Sequence, residues 1–568
     1  MQKQLLILIS CSFSLFIKGQ NPVLIPDTIS GSVINLALQE GTHEFFPGFQ
    51  TNTMGVNGNI LGPTVILEKG QQVTLHVENQ LQEETTLHWH GLHVSSENDG
   101  GPHTVINPGE TWSPAFTVLD NASTYWYHPH LHHKTNEHVS KGISGFIIVK
   151  DQEEAGIVLP RNYGTDDFPL VIQTRDFDDD KEIVFHSNSD DILMVNATLD
   201  PFISVPAQIV RLRLLNGSSM RTFNLGFTNN QPFYQIGSDG GLLESPVQLT
   251  RLLLSPGERA EVLIDLSSQL GDIIHLKSFA SELPNGIYGA ANPGMGPGMV
   301  LTGYHPNPLN GTDFNVLQIS VGPATVNPVI SIPAQLVNLN PFLVTDADTA
   351  RTFTFHPEIM GPNQLNGHFM INDQMYDMDV INEVIPLDNV EIWTLTNQSG
   401  IAHPFHIHMV QFYILDRNGV PPPLNESGRK DVVLVKPQET VRIITKFENF
   451  SNEEIPYMYH CHMLMHEDEG MMGQFLVIDE SPALGTYAGE ASVRVFPNPS
   501  KGNYHLQFRE NLLVYDLKVI DRYGRIHHEI EYNTLNDQLI LNIHGAGGFY
   551  MIQMNTGAGF YVFKVIKE

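Results

Sequence analysis

Ten histidines of this 568-residue chain fall in four short clusters: His88-Trp-His90, His128-Pro-His130, His403-Pro-Phe-His406-Ile-His408, and His460-Cys461-His462 with His466. Cys461 sits inside the fourth cluster, and Met471 lies ten residues beyond it. Two clusters are near one end and two near the other, so the fold must bring distant segments together if they act as one site. In a strand, residues i and i+2 project from the same face. Each His-x-His pair then presents two imidazoles side by side, whereas Cys461 points away from His460 and His462. One strand can therefore serve two metal sites. Cys461, His403, His466 and a weak axial Met471 fit the two-imidazole, one-thiolate, one-thioether set of a blue copper centre. The other eight histidines can hold three more metals on the opposite side. One His-x-His pair alone would carry little weight, and zinc is a rival for a few histidines with a cysteine. Four clusters in this order, closed by Cys-x4-His-x4-Met, point to copper.

The rest of the chain reads as β structure. Short apolar runs such as Thr64-Val-Ile-Leu67, Ile209-Val-Arg-Leu-Arg-Leu-Leu215 and Val441-Arg-Ile-Ile-Thr445 are separated by turn signals every 8–12 residues, as in stacked sandwiches. A turn of similar type recurs at Asn107-Pro-Gly-Glu110, Ser255-Pro-Gly-Glu258 and Lys436-Pro-Gln-Glu439. The expected architecture is all-β: three Greek-key sandwiches over 21–155, 160–325 and 326–480, with the second linker, around 322–341, the least defined. Acids outnumber bases 62 to 30, which argues against nucleic acid or an anionic membrane as partner. The acidic run 176–182 lacks the glycine and distal glutamate of a calcium loop and reads as a solvated turn.

The ends differ from the body. Residues 1–20 carry Lys3, an apolar stretch from Leu5 to Ile17, and Gly19-Gln20, the pattern of an export signal. Leu8-Ile-Ser-Cys11 also fits a lipobox, but the apolar run continues past Cys11. Removal of the signal leaves Cys461 as the only cysteine, which excludes a disulfide framework. No other stretch is apolar enough to span a bilayer. Residues 491–568 form a separate set of short β runs, among them Leu517-Lys-Val-Ile-Asp-Arg-Tyr-Gly-Arg525 and Gly548-Phe-Tyr-Met-Ile-Gln-Met554.

These motifs resemble two known families. From about Gly55 to Val477 the chain is similar to the three-domain, laccase-like multicopper oxidases, built from cupredoxin domains. The likeness rests on Gly62-Pro-Thr64, Leu87-His-Trp-His-Gly91, Tyr127-His-Pro-His130, Leu214-Leu-Asn-Gly-Ser218, Gly237-Ser-Asp-Gly-Gly241, His403-Pro-Phe-His-Ile-His408 and His460-Cys-His-Met-Leu-Met-His466. It implies four copper ions. His403, Cys461, His466 and Met471 would hold the type 1 copper, which accepts electrons, and Met471 implies a low to medium potential. His88 and His406 would hold the type 2 copper. His90, His128 and His462 would hold one type 3 copper, and His130, His408 and His460 the other. The middle domain would act as a spacer. Asp99 and Glu467 occupy positions where relatives place acids that can supply protons for reducing dioxygen. The chain from Val493-Arg-Val-Phe-Pro-Asn-Pro-Ser-Lys-Gly502 to its end resembles the type A sorting domain of the type IX secretion system. That implies a Bacteroidota-type bacterium and export to the cell surface or medium.

The electron donor implied is a phenol or aromatic amine, or a metal ion. Cuprous ion would suit Met375, Met378, Met458, Met463, Met465 and Met472, although most of these read as core filler, the long methionine-rich insert of cuprous oxidases is absent and only Met295 and Met299 punctuate a Gly/Pro loop. A copper-sequestering protein without turnover, a metal-free division-type scaffold and a nitrite reductase are the rivals. The last would need only two cupredoxin domains, and the scaffold would lack ligands that are all present here.

Overall fold

The computed structural model describes residues 20–187, 189–292, 307–358, 368–479, 493–496, 500–521, 525–556 and 559–567. The expected export signal and the Met295/Met299 loop lie outside these residues. The chain divides into two compact units, residues 1–479 and 480–568.

Three sandwiches make up the first unit. In the first, Phe49–Val56, Val33–Phe46, Gln72–Asn79 and Thr111–Trp112 form one sheet. Thr28–Ser30, Thr64–Glu68, Gly145–Lys150, Ser123–His128 and His88–His90 form the other. Period-two alternation explains the packing: Ile34, Leu36 and Leu38 turn inward from one strand to meet Leu75, Val77, Trp89, Tyr127 and Ile147. The middle sandwich buries Leu170, Ile172, Leu212, Leu214, Val262 and Ile264 in the same manner. Its central strand Ile209–Asn216 is buried along its whole length yet still alternates: Val210, Leu212 and Leu214 enter the core, while Arg211 and Arg213 are paired with buried Glu261 and Asp167. The third sandwich is built around Phe353, Phe355, Trp393, Phe405 and Phe475, a core that also contains Cys461 and Met471.

Two features modify the expected boundaries. Asn21–Pro22 pairs in parallel with Pro201–Pro206, and Val23 enters the middle core. The first residues of the expected 21–155 unit therefore belong to its neighbour. The ill-defined linker is not a free tether: Leu336, Val337 and Leu339 are buried in one cluster with Ile209, Ile236 and Leu263 of the middle sandwich and Val390, Ile392 and Ile444 of the third. The acidic run makes a turn after Asp167–Phe177, with the Asp178 carboxylate accepting the Glu182 N–H at 2.9 Å.

The described residues of the second unit form one five-stranded sheet. Its long strand Asn503–Asp521 pairs with Val493–Phe496 along one half and Gly548–Thr556 along the other, with bulges between. Bulges bend and twist a strand, and the sheet covers its own core of Tyr504, Leu506, Leu517, Val519, Tyr550 and Ile552.

Candidate metal centre

The four histidine clusters converge. His88–His90 pairs antiparallel with Ser123–His128, placing His88 opposite His128 and His90 opposite Trp126. The intervening Trp89 and Tyr127 turn into the first core. In the third sandwich, His403–Ile407 pairs with Asn452–Cys461 so that His406 faces His460 and Phe405 faces Cys461. Alternation then sends His406 and His460 to one face and His403 and Cys461 to the other. The histidine faces of the first and third sandwiches meet directly. His88 stacks on His408 at 3.9 Å, and His90 stacks on His406 at 3.8 Å.

Potential ligand atoms cluster within 4.8 Å of one another in the sets His88/His90/His406, His90/His128/His462, His130/His408/His460 and His403/Cys461/His466, all buried. In the second set, His90 Nδ1 lies 3.3 Å from His128 Nε2 and 3.2 Å from His462 Nε2. In the third, His130 Nε2 is 3.1 Å from His460 Nε2. Cys461 Sγ is 3.5 Å from His403 Nδ1 and 3.7 Å from His466 Nδ1. Met471 is buried in the same core, and its carbonyl accepts the Cys461 N–H at 3.0 Å.

These residues fit copper. His88 Nε2, His406 Nε2 and His408 Nε2 are buried without a hydrogen-bond partner, a costly state unless a metal takes their lone pairs. Burial pushes the imidazoles of His90, His128, His130, His403, His406 and His462 well below the usual histidine range, and His408 to about 3. These rings are neutral and keep a lone pair for a metal. An imidazole-rich group beside a set of two imidazoles and a cysteine sulfur, with a methionine buried in the same core, is donor chemistry that suits copper.

The two expected acids lie against this group. Asp99 ends the short helix Ser96–Asp99, followed by Gly100 at φ +79°. A Cβ on Gly100 would lie 1.9 Å from the Leu87 carbonyl, so glycine is required for this close turn. The Asp99 carbonyl accepts from His88 Nδ1 at 2.9 Å, and its Oδ2 is 2.8 Å from His408 Nδ1. Glu467, in the helix Leu464–Asp468, places its oxygens 3.2 Å from His460 Nδ1 and 3.5 Å from His130 Nδ1. Burial opposes ionisation of both acids, but the neighbouring imidazoles outweigh it and hold both carboxyls below the usual carboxylate range. Beside Glu467, the Asp468 carboxylate accepts from the N–H groups of Thr135 and Asn136 at 3.1 and 2.9 Å. It thereby ties the third sandwich to a helix of the first.

Burial also raises the Cys461 thiol well above its usual value, so a metal that takes the sulfur must displace its proton. Copper loading in weakly buffered solution is expected to release this proton and to strengthen as pH rises, read with a pH-indicator dye. Cys461→Ser should lose this component.

Sequence reasoning missed the support beneath the site. Asp431 Oδ1 is 3.1 Å from His90 Nε2, and the Asp431 carbonyl accepts from His406 Nδ1 at 2.8 Å. Arg259 of the middle sandwich donates to Asp431, and Lys430 to Asp239, all buried. A Cβ on Gly257, at φ +84°, would sit 2.8 Å from the His462 ring. The middle sandwich is therefore more than the expected spacer. The traces of this support in the sequence are the charged triplet Arg429-Lys-Asp431 opening the wholly buried strand Val432–Val435, Asp239 within Gly237-Ser-Asp-Gly-Gly241 and Gly257 within Ser255-Pro-Gly-Glu258. Of the methionines near Cys461, Met458, Met463, Met465 and Met472 are buried, whereas Met375 and Met378 reach the surface.

Fold and site together define a cupredoxin-type metalloprotein with a mononuclear thiolate set and an adjoining histidine-lined group. Models of the multicopper oxidase family match residues 37–154 and 342–481, and a model of a secretion system C-terminal sorting domain matches 494–568. A multicopper oxidase from Staphylococcus epidermidis is 33% identical over 481 residues, covering 81% of this chain and 93% of that protein. The cell division protein FtsP of Photorhabdus laumondii is 30% identical, over 79% of this chain and 90% of its own. Among solved structures, a bacterial laccase-like multicopper oxidase from an Ochrobactrum species is 36% identical with a TM-score of 0.71, covering 80% of this chain and all of that one. The chain belongs to the multicopper oxidase family, and it ends in a type IX secretion sorting domain.

Proposed function

We propose that the protein is a laccase-like oxidase that takes electrons one at a time at the Cys461 group and passes them to dioxygen at the eight-histidine group. The observation that carries this reading is the shared strand: Cys461 faces His403 and His466, while its neighbours His460 and His462 belong to the two other buried sets. Copper bound there would supply one-electron uptake at the thiolate set and four-electron reduction of dioxygen to water at the other. In this reading His403, Cys461, His466 and Met471 hold the type 1 ion. His88 and His406 hold the type 2 ion, and the sets His90/His128/His462 and His130/His408/His460 hold the type 3 pair. The three sandwiches correspond to domains over 21–155, 160–325 and 326–480, apart from the first strand.

The chain's own residues orient and protonate. His406 and His460 are fixed by N–H bonds to the carbonyls of Asp431 and Cys461. That leaves Nε2 of each directed into the site. Asp99 Oδ1 and both Glu467 oxygens are buried without a hydrogen-bond partner. Held ionised by the neighbouring imidazoles, either carboxylate can accept a proton at these oxygens and pass it inward in transit. The donor is an aromatic amine, a phenol or a metal ion. Surface exposure of Met375 and Met378, 37% and 40%, favours cuprous ion as the second reading, because thioethers bind it well. The sorting domain and the expected signal support delivery to the cell surface or the medium.

His462→Ala is expected to remove a type 3 copper and to stop oxygen consumption. The blue colour should remain, because His462 lies on the opposite face from the Cys461 sulfur. Metal analysis and an oxygen electrode, with cuprous ion, ferrous ion and a phenol as donors, test this. Unchanged copper stoichiometry would refute the assignment. A wild-type protein that binds copper yet oxidises none of these donors would point to sequestration.

A further inference from the structure

The eight imidazoles facing one another are not oriented alike. Seven direct Nε2 inward; among them His88, His128, His406 and His460 donate Nδ1–H to the carbonyls of Asp99, Pro129, Asp431 and Cys461. His90 is reversed. Its Nδ1 faces His128 and His462, and its Nε2 faces Asp431 Oδ1 at 3.1 Å. A carboxylate can only accept, so it fixes the proton on Nε2 and leaves the Nδ1 lone pair for the site.

Asp431 is itself held from the sandwich that has no candidate ligand. Arg259 Nη1 donates to Asp431 Oδ1 at 2.6 Å, and Nη2 pairs with Oδ2. The remaining donors of this guanidinium go to the carbonyls of Thr124, Gly257 and Asp239 at 3.0–3.2 Å. The Asp239 carboxylate accepts from the Arg259 N–H at 2.8 Å and from Lys430 Nζ at 2.9 Å. Arg259, Asp239 and Asp431 are wholly buried. One planar fork thus joins Thr124 of the first sandwich, Asp239 and Gly257 of the middle one and Asp431 of the third. A lysine ammonium cannot reproduce that bidentate geometry.

Resting on the multicopper reading, we infer that Arg259 and Asp431 are positioning residues for the histidine group: Asp431 sets the reversed tautomer of His90, and Arg259 sets Asp431. The ligand-free middle sandwich thereby completes a site whose ligands all come from its neighbours. Carboxylates that orient metal-bound histidines typically contribute about 10–100-fold in metal affinity.

The test uses the copper-loaded full chain and the variants Asp431→Leu, Asp431→Asn, Arg259→Leu and Arg259→Lys. Chelator challenge is followed by copper per chain, by the blue absorption of the Cys461 set, and by the near-ultraviolet absorption of an oxidised copper pair. Both leucine variants are expected to lose copper from the histidine group about 10–100-fold more readily, while the blue band per chain is retained. Asp431→Asn keeps an acceptor oxygen for His90 and should hold copper better than Asp431→Leu; Arg259→Lys should fall between wild type and Arg259→Leu. Wild-type chelator resistance in both leucine variants would overturn the inference. So would parallel loss of the blue band and the paired-copper signal in all four variants, which would make the fork a prop for the fold alone. A wild-type chain that loads copper without blue absorption would overturn the multicopper reading and this inference with it.

Discussion

Cys461→Ser is expected to abolish both the blue absorption and the oxidation of every donor, the largest effect of any single substitution in this chain. Serine is nearly isosteric but offers a hard hydroxyl that does not ionise to a soft ligand, so the thiolate–copper bond is lost. The site loses more than one ligand, because Cys461 is also bonded directly to both His460 and His462 and so gives the shortest covalent connection from its own set to theirs. Copper at the eight histidines should remain, since none of their nitrogens touches the sulfur. The variant should therefore carry one copper fewer than wild type and stay folded, with a cost of about 1–3 kcal/mol for burying an unpartnered hydroxyl. Visible absorption, metal analysis and oxygen uptake check the three parts. Blue colour with donor turnover in the serine variant would disprove the assignment of the type 1 set.

Truncation before Val493 is expected to leave oxidase activity per copper unchanged but to trap the protein inside the cell. The reason is physical separability. The C-terminal core is drawn from Tyr504 to Val565, whereas among the described residues the cores of the sandwiches that carry the histidine and cysteine sets draw on none of it. Removing the tail therefore deletes a closed core rather than opening one. Cell fractionation with activity measured in each fraction is the check. Normal appearance of the truncated protein outside the cell would refute the sorting role, and loss of activity in a purified, copper-loaded truncation would refute independence of the two units.

Much of the site was legible because its chemistry is written in local spacing. A strand alternates with period two whatever surrounds it, so His88/His90 and His460/His462 had to share faces, and Cys461 had to lie opposite its neighbours. The His-Pro-Phe-His-Ile-His run placed His403 and His406 on opposite faces by the same rule. Asp99 and Glu467 were named from the resemblance, which puts acids at those positions; only Glu467 directly follows a motif histidine. Boundaries were less legible: the pairing of Asn21–Pro22 with Pro201–Pro206 and the burial of Leu336, Val337 and Leu339 between two sandwiches are long-range packing choices with no local signature.

The sequence by itself determined which side chains could serve as copper ligands and which of them share a strand face, because residue type and backbone periodicity are local properties. Only the tertiary structure decided that faces more than 300 residues apart meet, that His90 alone turns its other nitrogen inward, and that Arg259 of the middle sandwich holds the carboxylate responsible. Those features depend on the docking of three separately cored sandwiches and on buried charges that must find partners across their junction, and neither is encoded in the spacing of neighbouring residues.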